Sequence, residues 1–74
     1  VKQLLMSRYS LIIQWSDEDP LFLVTIPDFS DRVMMPCTYG ETREIALHNG
    51  EAVIEMYLEA WKADGEPIPE PRTL

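Results

Sequence analysis

Residues 42–62 read TREIALHNGEAVIEMYLEAWK, and the spacing inside that run decides the fold. Ala46, Leu47, Gly50, Val53, Ile54, Tyr57, Leu58 and Trp61 recur at the interval of one helix face advancing ~100° per residue. Glu44, His48, Glu51, Glu55, Glu59 and Lys62 gather on the opposite side. The flank Ile45, Asn49, Ala52, Met56 and Ala60 is mostly apolar too. The apolar arc is therefore wider than the ~100° stripe that packing on one sheet uses, and its excess points to a second apolar neighbour, most simply another copy of the chain. Thr42 is a suitable N-cap and Gly65 a suitable residue just past the C-cap, with the prolines at 67, 69 and 71 forbidding continuation. Gly50 on the apolar face predicts close approach to a strand or another helix.

Ahead of the helix the period changes from 3.6 to 2. Tyr9, Leu11, Ile13 and Trp15 alternate with Ser10, Ile12 and Gln14, which predicts a strand over 9–15 with one buried face. Ser16-Asp17-Glu18-Asp19-Pro20 reads as a hairpin loop, and Leu21–Ile26, apolar at nearly every position, as a second strand stopped by Pro27. After a turn at residues 27–32, Val33–Met35 and Cys37–Tyr39 read as a third strand interrupted by Pro36, at an edge or a bulge. Residues 1–8 are expected to form an arm, and residues 66–74 an extended, loosely held tail. The fold class is α+β: a single domain in which a three-stranded antiparallel meander carries one long helix packed across it.

Seventy-four residues support a small core, and one cysteine provides no internal disulfide. Cys37 with one histidine, His48, is no zinc set. Self-association is the natural support for such a chain. No run approaches the ~20 apolar residues of a membrane-spanning helix, and the start lacks a signal-peptide core, so the expectation is a cytoplasmic protein without a membrane partner. The first residue is valine, and Met6 is another candidate start. A net charge of −7 argues against direct nucleic-acid binding, which is built on lysine and arginine. It suits a basic protein partner, and it equally serves solubility.

The succession Tyr9–Trp15, Leu21–Ile26, Pro27-Asp28-Phe29, Thr38-Tyr39-Gly40-Glu41-Thr42, Ala46 and Gly65-Glu66-Pro67-Ile68-Pro69-Glu70-Pro71 resembles the HicB antitoxin family. Its members carry a proline-aspartate-hydrophobic turn after a strand, a glycine-x-threonine helix start with alanine four residues on, and a glycine-x-proline-x-proline close. The resemblance covers about residues 9–71. Two departures stand out. Ser30–Pro36 replaces a short proline-glycine-cysteine link, and Ile45 replaces the glutamate that would complete a capping box.

The resemblance implies a truncated ribonuclease-H-like β-β-β-α core that assembles as dimers or larger. It also implies a function: binding and blocking a small, basic, HicA-like mRNA-cleaving toxin. Many members add a DNA-binding segment; this sequence ends at Leu74 just after the prolines, so that property is not expected of it. The candidate toxin-facing residues are Asp17, Glu18 and Asp19 in the first loop, Asp28 and Asp31 in the second turn, and Leu23 on the outer face of the second strand. The acidic groups serve equally well as solvated turns. Met34, Met35, Met56, Ala60 and Trp61 are candidates for self-association; the methionines fit core filling as well, and Trp15 and Trp61 read as core or interface anchors.

No catalytic, cofactor or metal role is expected. Asp17, Asp19, Asp28 and Asp31 lie in turns that fix no two-metal geometry. His48 belongs to the solvated helix face, and Cys37 has no histidine nearby in sequence. The alternative to an antitoxin is a HicB-like oligomeric binding or scaffold module with no toxin partner.

Overall fold

A computed structural model of the chain describes residues 8–71; most of the expected N-terminal arm and the last three residues of the tail lie outside them. Three strands form one antiparallel sheet in the order β1 (Ile12–Ser16), β2 (Leu21–Thr25) and β3 (Thr38–Gly40). One helix, α1 (Arg43–Ala63), lies across it. The fold is α+β, with β2 central. Ile13 pairs with Val24 and Trp15 with Phe22, while Val24 pairs on its other side with Thr38 and Phe22 with Gly40. Because strand side chains alternate, this register puts Val24 toward the helix with no exposed surface and Leu23 on the outer face beside Gln14 and Tyr39. No helix of the described residues is long and apolar enough to cross a membrane.

The helix ends where its chemistry says it should. The Thr42 hydroxyl accepts from the Ile45 amide at 3.1 Å, so the cap works without a capping box. At the other end Gly65, with φ of 72°, donates to the Lys62 carbonyl, and the Glu66 amide reaches back to Trp61. These are the two bonds of a Schellman close, and the left-handed residue they require is a glycine.

Where α1 crosses the sheet, two glycines set the distance. A β-carbon on Gly50 would lie 3.0 Å from both Leu11 and Val24, which accounts for a glycine on the apolar face. Gly40 is tighter still. A β-carbon there would stand 2.4 Å from the backbone nitrogen of Ala46, and backbone cannot swing aside.

The strand boundaries differ from the periodic reading. β1 begins at Ile12, and Tyr9 sits ahead of it, buried in the core. The expected first half of the third strand, Val33–Met35, is a looped segment, and only Thr38–Gly40 pairs with β2. Pro36 has no amide to give to a ladder. The Ile26 amide is met by the Met35 sulfur at 3.5 Å, and pairing resumes when the Cys37 amide donates to the Val24 carbonyl at 3.0 Å.

The core gathers at the far end of β2. Pro27–Phe29 form one short 3-10 turn that delivers Phe29 with no exposed surface. Tyr9 and Trp61 both meet its ring edge-on with centroids 5.0 Å away, and Tyr57 joins at 6.4 Å. On the free side of β3, Asn49 Nδ2 donates to the Tyr39 carbonyl at 2.7 Å.

Replacing Gly40 by alanine is expected to cost about 2 kcal/mol or more, because overpacking against backbone has no cheap relief. Gly65→Ala has open space around it and should lose only about 1 kcal/mol to left-handed strain. Urea melts of both variants check the ranking, and a smaller loss at Gly40 would refute the close contact.

Candidate functional site

The hairpin joining β1 and β2 brings three of the acidic candidates together. Asp17, Glu18 and Asp19 are all exposed, and the Asp19 amide donates to the Ser16 hydroxyl at 3.4 Å, which shapes the turn. Beside them stands Trp15, the last aromatic of β1, 52% exposed. Its indole Nε1 donates to Asp17 Oδ1 at 2.8 Å. The ring is held from behind by Phe22, edge-on at 5.0 Å, and the Arg43 guanidinium lies 5.0 Å from the Phe22 centroid. The result is an indole oriented by one carboxylate, in a loop that exposes two more. An arginine or lysine brought to this tip meets both a π-face and negative charge, the two features that attract a cation. The tryptophan was legible only as an anchor; its union with the acidic loop depends on where the strand ends.

The second acidic turn is a separate place. Asp31 is exposed, but it lies beyond the opposite end of β2, a strand of five residues spanning roughly 16 Å. Asp28 is not available to a partner in this chain. It is 6% exposed, and its Oδ2 accepts from the Ser10 amide at 3.3 Å, tying the turn to the segment ahead of β1. Such buried carboxylates are kept by their hydrogen bonds. Leu23 is half-buried on the outer sheet face between Gln14 and Tyr39.

The self-association candidates divide in the same way. Met34 is 90% exposed, and Met56 and Ala60 are exposed on the helix flank that also carries Ile45 and Ala52. Met35 is half-buried against the core, and Trp61 is 8% exposed within the aromatic cluster. Trp61 is a core residue because Phe29 meets it edge-on, Tyr57 lies tilted beside it and Arg32 stacks on its ring, which leaves it little exposed in the folded chain.

Among the described residues no group of three or more His, Cys, Asp or Glu side chains is placed to hold a metal ion. Burial pushes the Cys37 thiol above its ordinary range, and its sulfur lies 3.6 Å from the Val24 carbonyl. Such a thiol stays protonated and is a poor nucleophile.

The tail is docked, contrary to the loosely held segment expected from its composition. Tyr9 Oη donates to the Pro69 carbonyl, Arg32 Nη1 donates to the Pro67 carbonyl at 2.6 Å, and Ile68 packs on the core. The same Arg32 guanidinium stacks 4.0 Å from the Trp61 ring centroid. Both donors come from parts of the chain remote in sequence, so composition carries no sign of them. No family model matches the sequence, and neither a curated protein nor a solved structure matches the chain.

Burial, and after it the negative charge of Asp28, hold the Tyr9 hydroxyl above its ordinary range. The folded chain thus keeps this proton at a pH where the unfolded chain, with a tyrosine near 10, releases it. The associated stability is complete below that value and is lost as pH rises through the raised one. Urea midpoints followed upward from about pH 9 should fall more steeply for the wild-type chain than for Tyr9→Phe. Parallel curves would show that Tyr9 carries none of the dependence.

Proposed function

We propose that this protein is a HicB-like antitoxin that acts in the cytoplasm by binding and neutralising a cognate HicA-type mRNA-cleaving toxin. In this reading it inhibits by contact and catalyses nothing itself. The order of motifs from Tyr9 to Pro71 supports the family, and the α+β meander with its single helix is compatible with the core that the family implies. The observation that carries the partner chemistry is the hairpin tip, where the exposed Trp15 bonds Asp17 in the loop that also presents the exposed Glu18 and Asp19. An RNA-cutting protein needs a basic surface, and an acidic inhibitor with an aromatic anchor competes for it directly. Asp31 and Leu23 lie outside this tip and extend the surface only for a partner large enough to span β2.

The experiment is a pull-down from source cells at physiological salt, followed by an RNA-cleavage assay on any small basic protein recovered at fixed stoichiometry. Cleavage by the released partner and silence in the complex are the expected results. Reversing the tip as Asp17→Lys, Glu18→Lys and Asp19→Lys should slow association with that partner by about tenfold or more at low salt, and by less as salt rises. An unchanged association rate would remove the tip from the interface.

A second reading, an oligomeric binding or scaffold module with no toxin, is favoured by the apolar surface left over. Ile45, Leu47 and Met56 are exposed on the helix, and Ile12 and Tyr39 on the sheet. Both readings expect a dimer or higher oligomer at micromolar concentration. Sedimentation equilibrium tests this, and a stable monomer would overturn the self-association common to both. Recovery of only the bait's own copies in the pull-down would favour the module.

A further inference from the structure

The residues around the docked tail have the features of a peptide-recognition site. Pro67 and Pro69 lack amide hydrogens, so their carbonyls are the polar backbone handles they offer. Each carbonyl is met by a side-chain donor, Arg32 for the first and Tyr9 for the second. The side chain between them, Ile68, packs on the core cluster to which Tyr9, Phe29 and Trp61 belong. The guanidinium that reads Pro67 is itself stacked on Trp61 at 4.0 Å, which fixes its fork toward the tail. Aromatic walls, donors aimed at carbonyls two residues apart and a proline-rich occupant together form the pattern by which folded domains bind polyproline-II segments.

The occupant is joined to α1 through Gly65, the position of positive φ, which has no atom within 4 Å of where a side chain would begin. Beyond Gly65 the tail belongs to no helix or strand. Two side-chain hydrogen bonds and one apolar anchor hold it, and the tether adds to the occupancy through effective concentration.

We propose that the groove formed by Tyr9, Arg32 and Trp61 is a binding site for extended proline-rich segments with an apolar residue between two prolines, occupied in this chain by its own residues 66–71 and open to such a segment supplied in trans. The tail is then an intramolecular ligand, and its release uncovers the site.

The test keeps the chain at full length. Ile68→Glu removes the apolar anchor and adds charge against the core, which should free the tail. A fluorescent peptide spanning residues 64–71 is titrated into this variant and into the wild-type chain. Anisotropy and the Trp61 indole resonance follow binding. Saturable binding to Ile68→Glu, about tenfold or more tighter than to wild type, is expected because the tethered tail competes at roughly millimolar effective concentration. The same peptide carrying glutamate in place of isoleucine should not bind, and adding Arg32→Gln to the variant should weaken binding several-fold. Ile68→Ala is run alongside, since it weakens the tail without placing a charge on the core; it should fall between the two. Lack of saturation with both variants up to millimolar peptide would overturn the proposal. So would equal affinity for variant and wild type, or indifference to Arg32→Gln.

Discussion

Burying the Phe29 ring requires three remote parts of the chain to meet. Pro27 and Asp28 turn it inward after β2, Tyr9 arrives from ahead of β1, and Tyr57 and Trp61 arrive on the last turns of α1. A fully buried phenylalanine contributes about 2–3 kcal/mol, whereas a core of this size supplies only about 3–5 kcal/mol in total. Loss of this ring would therefore take much of the net margin, as would loss of another fully buried side chain such as Ile26 or Ile54. Asp28 pins the turn by accepting from Ser10, so a polar bond and an aromatic contact hold the same joint. The close approach of α1 to the sheet at Gly40 and Gly50, where a β-carbon would crowd Ala46 and Leu11 or Val24, belongs to the same packing of helix on sheet.

Local periodicity made the helix legible, because Thr42, Gly65 and the apolar stripe act within a few residues of each other. The two long strands were legible for the same reason. What the sequence left hidden depends on contacts made at a distance. Val33–Met35 has the composition of a strand, yet Met35 turns its sulfur to the Ile26 amide instead of adding a ladder. Trp61 has the size and position of an interface residue, yet Phe29 and Tyr57 absorb it. A run of alternating prolines reads as a frayed end because nothing near it in sequence shows that Tyr9 and Arg32 will reach its carbonyls. The acidic site was half legible: three carboxylates in one loop are visible in sequence, but the bond from Trp15 to Asp17 depends on which way the indole turns at the strand end.

The surface separates into regions of different chemistry. The hairpin tip is acidic and aromatic, the flank of α1 bearing Ile45 and Met56 is apolar, and the far end is sealed by the tail. A partner drawn by charge and a partner drawn by apolar area would therefore engage different parts of the molecule.

The Asn49 side chain has an effect that reaches past the folded chain. A short outer strand with an open carbonyl is a template on which another molecule can lay a strand, and repeated addition of this kind builds fibres. Asn49 occupies the Tyr39 carbonyl from one turn of α1, so this acceptor of the β3 margin is capped by an amide of the same chain. The opposite margin belongs to β1 and carries the hairpin's carboxylates at its end. A capped carbonyl at one border and negative charge at the end of the other both disfavour the addition of a further strand.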